Sequence, residues 1–297
     1  MVSLRVHVVE KRIQLMGRRE AREPMPGRYP VTFGEVDLLQ DLDRPSGWVV
    51  SKDGVPQSYV DLDDATYLDF EYVQLMADVV DLLAEGPLDA VHVGGCACTL
   101  PRYVAATRPG SRQIVAEPDE GLVQLVRDQL RLKSVPRLKV RVLDGRTATA
   151  GLGDDSADLL VLDAFSGATM PIELATCEYM GDVARVLRTT GTVLINVGDG
   201  KGLAFTRRVL ATVRETFPQV ALLAEPGILR GRRFGNLIVA ASRLPLPVSD
   251  LTRRAAGGLT QARCVYGEDV VRFIAGARPL HDGDAVVTPV PPPAVFG

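Results

Sequence analysis

From residue 88 onward the chain alternates between short apolar runs and amphipathic stripes. The runs are DAVHVGG (89–95), RQIVAEP (112–118), LKVRVLD (138–144), ADLLVLDAF (157–165), GTVLINVGD (191–199), QVALLAEP (219–226) and FGNLIVAAS (234–242). Helical spacing fills 99–107, 119–131, 171–188 and 203–217. Strands that are apolar on both faces and alternate with helices predict a parallel sheet covered on both sides. No helical pattern separates the last two runs, which predicts a closing antiparallel hairpin. Upstream, 29–62 breaks into short extended runs with turn residues at Ser46-Gly47 and Asp53-Gly54, the signature of a small β-meander. Between these regions Leu68, Tyr72, Leu75, Val79 and Leu82 share one stripe of a helix within 65–85, stopped by Gly86-Pro87. The expected organisation is a flexible Arg-rich arm (1–28), a β-rich domain (29–64), an α/β nucleoside-binding domain (65–280) and a Pro-rich extended tail (281–297).

Composition narrows the choice of function. A net charge of −3 provides no broad basic field for nucleic acid. No run of 18 apolar residues is present, so no membrane span is expected, and the first 28 residues lack the apolar region of a secretory signal. Four cysteines do not build a disulfide framework, and Cys96 and Cys98 are too close to bridge comfortably. Cys177 and Cys264 stand alone, and three histidines (His7, His92, His281) leave too few ligands for zinc. These features predict a cytoplasmic protein with no metal. His92 and Trp48 are expected in the core, Cys177 packed on a helix, and Arg230, Arg232 and Arg233 on a solvated turn.

In an open α/β sheet, ligands sit beyond the carboxyl ends of the strands. Those ends carry Gly94-Gly95, Glu117, Asp144-Gly145 and Asp163. One such acid is commonly a helix cap, but three on neighbouring strands beside a Gly-containing loop point to a nucleotide. Glu117 is placed to accept the hydroxyls of a ribose and Asp144 an adenine amino group. The helix opening near Thr99 aims its N–H groups into the same crevice. The loop is neither G-x-G-x-x-G nor a P-loop, which favours a nucleoside with a short tail over a dinucleotide or triphosphate. Asp199, in NVGDG, either contacts a substrate amine or caps a turn.

With these residues in view, the chain resembles the spermidine-synthase (polyamine aminopropyltransferase) family, which is built on the class I methyltransferase fold with a seven-stranded sheet and an N-terminal meander. The resemblance spans roughly 45–245. Its most specific parts are DGVPQSYVDLDDATY (53–67) and LLVLDAFSGATMP (159–171), similar to the family's active-site wall and gate segment. The resemblance implies that Gln57 and Tyr67 line the active site, that Glu117 and Asp144 hold ribose and adenine, and that Asp163 lies beside the reacting amine. It further implies S-adenosylmethionine or its decarboxylated form as co-substrate, a small amine or other small acceptor, and a homodimer. The chain departs from the family on the substrate side. Ala97 stands where the family's loop carries an acid, Leu68 follows the wall tyrosine, and Ser166 replaces the gate's second acid. An acid at 97 would repel the carboxylate of S-adenosylmethionine, so alanine is expected to admit it. Aminopropyl transfer, methyl transfer and a non-catalytic nucleoside-binding role all remain open from sequence.

Overall fold

A computed structural model describes residues 23–167, 169–258 and 261–292. Most of the expected arm, residues 1–22, and the last five residues of the tail lie outside the described residues. The chain enters a four-stranded antiparallel sheet in simple order: β1 Gly27–Val31, β2 Gly34–Gln40, β3 Gly47–Lys52 and β4 Val55–Asp61. β1 begins at Gly27, so Gly27 and Arg28 belong to the sheet and not to the arm. Between β3 and β4, Asp53 and Gly54 both have positive φ (52° and 77°), the two-residue turn that suits the right-handed twist of the flanking strands.

The first helix among the described residues, α1 (Glu71–Asp81), is shorter than the stripe from 65 suggested. The Asp64 carboxylate accepts from the N–H and hydroxyl of Thr66 and holds 64–66 in a turn. There follow β5 (Asp89–Gly94), α2 (Thr99–Thr107), β6 (Arg112–Ala116), α3 (Glu120–Gln129), β7 (Leu138–Arg141), α4 (Gly145–Ala150) and β8 (Ala157–Asp163). The remaining elements are α5 (Cys177–Val186), β9 (Leu187–Asp199), α6 (Ala204–Thr216), β10 (Gln219–Ala224), the one-turn α7 (Pro226–Leu229), β11 (Gly235–Ser242), α8 (Val248–Gly257), β12 (Arg263–Tyr266) and α9 (Glu268–Ile274).

The main sheet has the order β12-β10-β11-β9-β8-β5-β6-β7, with β5 to β9 parallel and β10, β11 and β12 joined antiparallel. It has eight strands where seven were expected. RCVY (263–266) is too short to announce itself, and takes its place by pairing with β10. Helices α4, α8 and α9 were also missed; α4 and α9 are short, and α8 and α9 lie beyond the clear alternation. The predicted terminal hairpin is present, with α7 at its tip.

Alternation along the central strands splits the core in two. On β8, Leu160 and Leu162 pack under α5 and α6, whereas Leu159 and Val161 pack against α1, α2 and α8. A third cluster joins the meander to the main sheet, with Trp48 and Val50 meeting Val115 and Leu125. His92 is buried, and its Nε2 pairs with Gln113 Oε1 at 2.9 Å; burial holds its pKa at about 4, so the ring is neutral. No helix among the described residues is long and apolar enough to cross a membrane.

Candidate active site

The parallel strands β5, β6 and β8 end at one rim, and the meander docks over it. Helix α3 makes this docking possible. Asp119 caps α3 by accepting from Leu122 N at 2.8 Å, and the same carboxylate accepts from Thr32 N (2.8 Å) and Phe33 N (3.1 Å) in the β1–β2 turn. Burial works against this carboxylate, but the N–H donors outweigh burial and hold it below its usual range. The result is a cavity of about 360 Å³ between turn and rim.

Its floor is the β5 loop. Gly94 has φ +79°, and a Cβ there would lie 2.3 Å from the Asp163 carbonyl, so only glycine lets β5 and β8 run this close. One wall is Glu117, directly after β6. Its Oε1 accepts from Asp119 N at 3.0 Å, and burial pushes its carboxyl up to about 7. Opposite is Asp144, whose Oδ1 caps α4 through Thr147 N at 2.9 Å; that bonding holds it below the ordinary range. Gly145 also borders the cavity, packed against Val93.

Asp163 closes the far end. Its Oδ1 accepts from Asn196 Nδ2 at 2.9 Å and its Oδ2 from the Tyr72 hydroxyl at 3.3 Å. Burial raises the carboxyl, and these two hydrogen bonds partly offset the rise. The Tyr72 phenol is pushed far above its usual value by burial and by Asp163, so it is a neutral donor. Beyond this group lies a second cavity of about 470 Å³, with Gln57, Tyr72, Phe165 and Gly167 shared between the two. Its other walls include Phe70, Leu75, Ile228 and Phe234. Tyr72, which borders both chambers, and Asn196, which borders the second, thus hold the carboxylate that borders the first.

The same architecture is found in solved structures. A probable spermidine synthase from Corynebacterium glutamicum superposes with a TM-score of 0.83 at 32% identity, covering 90% of this chain and all of that one. The chain belongs to the spermidine-synthase family. Human methyltransferase-like protein 13, solved with SAH, shares the fold at a TM-score of 0.53 and 20% identity, over 73% of this chain and 98% of that one. An N-terminal histidine N-methyltransferase from Emericella nidulans is 28% identical over 87 residues, 29% of this chain. The chain spans only 16% of that protein's length. No family model matches the chain. The fold is thus a nucleoside-binding one of the S-adenosylmethionine type.

Of the residues singled out from sequence, Gln57, Gly94, Gly95, Glu117, Asp144, Gly145, Asp163 and Ser166 all border the first cavity. Three do not. Ala97 is 0% exposed and packs in the cluster beneath the meander, because the loop turns over at Cys96 (φ 43°) and Cys98 (φ 63°). The loop side chain facing the cavity is Cys96, a thiol kept protonated by burial and by the nearby Glu117 charge. Tyr67 lies outside both cavities, with Arg44 3.7 Å from its ring centroid and its hydroxyl directed to Asp69. The tyrosine that meets Asp163 is Tyr72, five positions later. Asp199 is a cap: its carboxylate accepts from Gly200 N, Thr206 N and the Thr206 hydroxyl, all within 2.8 Å.

Sequence reasoning missed Tyr72, Asn196, Phe165, Phe234 and Asp119 as site residues. Tyr72 carried the periodicity of a core position, which masked its hydroxyl. Asn196 did carry a signal, as a lone amide inside the apolar run VLINV. Arg233, read as solvated, pairs with Glu225 and borders the second cavity.

Proposed function

We propose that this family member binds an S-adenosyl nucleoside in the first cavity and transfers its aminopropyl group to an amine held in the second. The observation that carries this reading is Asp163, held by Tyr72 and Asn196 where the two chambers meet. Glu117 supplies the carboxylate for a ribose diol, and Asp144 borders the same cavity, where it can accept from the amino group of a base. The co-substrate, decarboxylated S-adenosylmethionine, supplies a sulfonium-activated methylene: the amine's lone pair forms the C–N bond as the C–S bond breaks and its electron pair stays on sulfur, releasing methylthioadenosine.

Asp163 then faces a nitrogen that gains positive charge during reaction. An amine's pKa lies about six units above that of an ordinary aspartate, so Asp163 orients the N–H and stabilises the developing cation; the proton leaves to solvent afterwards. Fixed donors hold the carboxylate in place before the substrate arrives, so little reorganisation is needed.

Methyl transfer from S-adenosylmethionine is the second reading, favoured by one feature. The loop presents neutral Cys96 and no acid to the cavity, so it adds no repulsion of its own to a ligand carboxylate. A thermal-shift panel separates the two readings. Stabilisation by methylthioadenosine and decarboxylated S-adenosylmethionine, with methylthioadenosine released when an amine is added, supports aminopropyl transfer. Methylation of the amine with S-adenosylhomocysteine as product supports methyl transfer. No stabilisation by any of these nucleosides overturns both.

A further inference from the structure

The second cavity says more about its occupant than that it is an amine. Asn196 lies on β9, borders this chamber and is 2% exposed. Its Nδ2 is committed to Asp163, and its Oδ1 is buried with no hydrogen-bond partner. A buried acceptor without a donor has lost its hydration and gained nothing in return, so such atoms normally meet a donor. Beside it, each Asp163 oxygen receives one protein hydrogen bond and keeps further acceptor capacity. Asn196 borders the second chamber and Asp163 the first, and the bond between them joins the two acceptors across the seam marked by Tyr72. A neutral primary amine has two N–H groups and one lone pair. Giving one hydrogen to Asp163 and one to Asn196 Oδ1 leaves the lone pair for the methylene carbon.

The rest of the chamber suits an apolar body. Phe70, Phe165, Phe234, Leu75 and Ile228 form its walls. Of its acids, Glu225 is already paired with Arg233. Asp69 and Glu71 stand exposed at the margin, where water screens pairing with a second ammonium. Resting on the transfer reading above, we propose that the acceptor is a primary monoamine with an apolar or aromatic body. In this arrangement Asn196 Oδ1 and Asp163 each receive one of its N–H groups, and a linear diamine is a poor acceptor.

The test titrates the full-length protein by calorimetry with phenethylamine, N,N-dimethylphenethylamine and putrescine, with and without saturating methylthioadenosine. Phenethylamine is expected to bind at least tenfold tighter than either of the others. Asn196→Leu is expected to weaken phenethylamine about tenfold and to leave the dimethyl amine unchanged, with far-UV circular dichroism and methylthioadenosine binding reporting that the variant is folded. Putrescine binding as tightly as phenethylamine overturns the proposal, as does equal affinity for the primary and tertiary amines on the unmodified protein; neither result depends on the variant's folding. Failure to bind methylthioadenosine overturns the transfer reading separately, because the titrations without nucleoside still judge the amine chamber.

Discussion

Glu117 and Asp163 are both partly buried carboxyls raised by desolvation, but their neighbours give them different tasks. Glu117 receives one backbone N–H and has a pKa of about 7. A ribose diol donates to the ionised form, so nucleoside affinity is expected to rise with pH through about 7 and then level. Donors on the carboxylate lower its pKa in the complex, so binding at pH 7 releases protons; titrations in buffers of different ionisation enthalpy measure this. Glu117→Gln is expected to flatten the profile and weaken methylthioadenosine tenfold or more, since hydrogen bonds to a charged group are worth about 1.5–3 kcal/mol. Stability without ligand moves the other way. The folded state holds this proton more tightly than the unfolded chain, so the stabilising contribution is complete below the ordinary glutamate range and is lost as pH rises through about 7. For Asp163, the Asn variant keeps the shape and removes the charge. Methylthioadenosine release by Asp163→Asn is expected to fall by about 10²–10³ with nucleoside affinity little changed; undiminished turnover removes Asp163 from its assigned role.

At the scale of elements, most strands of the main sheet were legible because they are apolar on both faces, and β5, β6, β8 and β9 end in, or run directly into, a glycine or an acid. Predicted runs such as 112–118 and 157–165 match β6 and β8 to within two residues at each end. Strand-end acids were legible because a parallel sheet brings them to one rim whatever the loops do. The paths of loops and the facing of single residues were not legible. Ala97 turns inward because two non-glycine residues beside it adopt positive φ, which no pattern of apolar residues encodes. Tyr67 and Tyr72 could not be told apart, because a turn precedes Tyr67 and the helix starts later than its stripe. The seam between α3 and β1 was equally hidden, since it depends on a close approach of backbones. A Cβ on Gly121 would lie 2.7 Å from Val31 Cα and 2.8 Å from Thr32 N. Replacing a helical glycine by alanine ordinarily stabilises by up to about 1 kcal/mol. Here Gly121→Ala is expected to destabilise by about 1–3 kcal/mol, because the meander must move away. Chemical denaturation decides the sign, and a gain in stability refutes the close docking.

The whole molecule behaves as one unit because its ligand site is built from both sheets. Val31, Phe33 and Lys52 from the meander and Glu117, Asp144 and Asp163 from the main sheet border one cavity, and the buried cluster around Trp48 spans the same junction. Residues after Leu280 add to this connection: Asp282 pairs with Arg146, Asp284 with Arg208, and Pro291 borders the second chamber. Detaching the meander would leave the apolar faces of Val115, Leu125 and Val126 in water, so the two sheets are expected to unfold together. Trp48 is the single tryptophan of the chain and sits within the junction, whereas far-UV circular dichroism follows mainly the larger α/β unit. Thermal unfolding followed by the two signals is expected to give one midpoint. Methylthioadenosine at one hundred times its Kd adds about 2.7 kcal/mol to the folded state and should raise both signals together, by roughly 4 °C for a chain of this size. A tryptophan transition that comes first and does not respond to the nucleoside would mean that the meander is only resting on the site and does not help to form it.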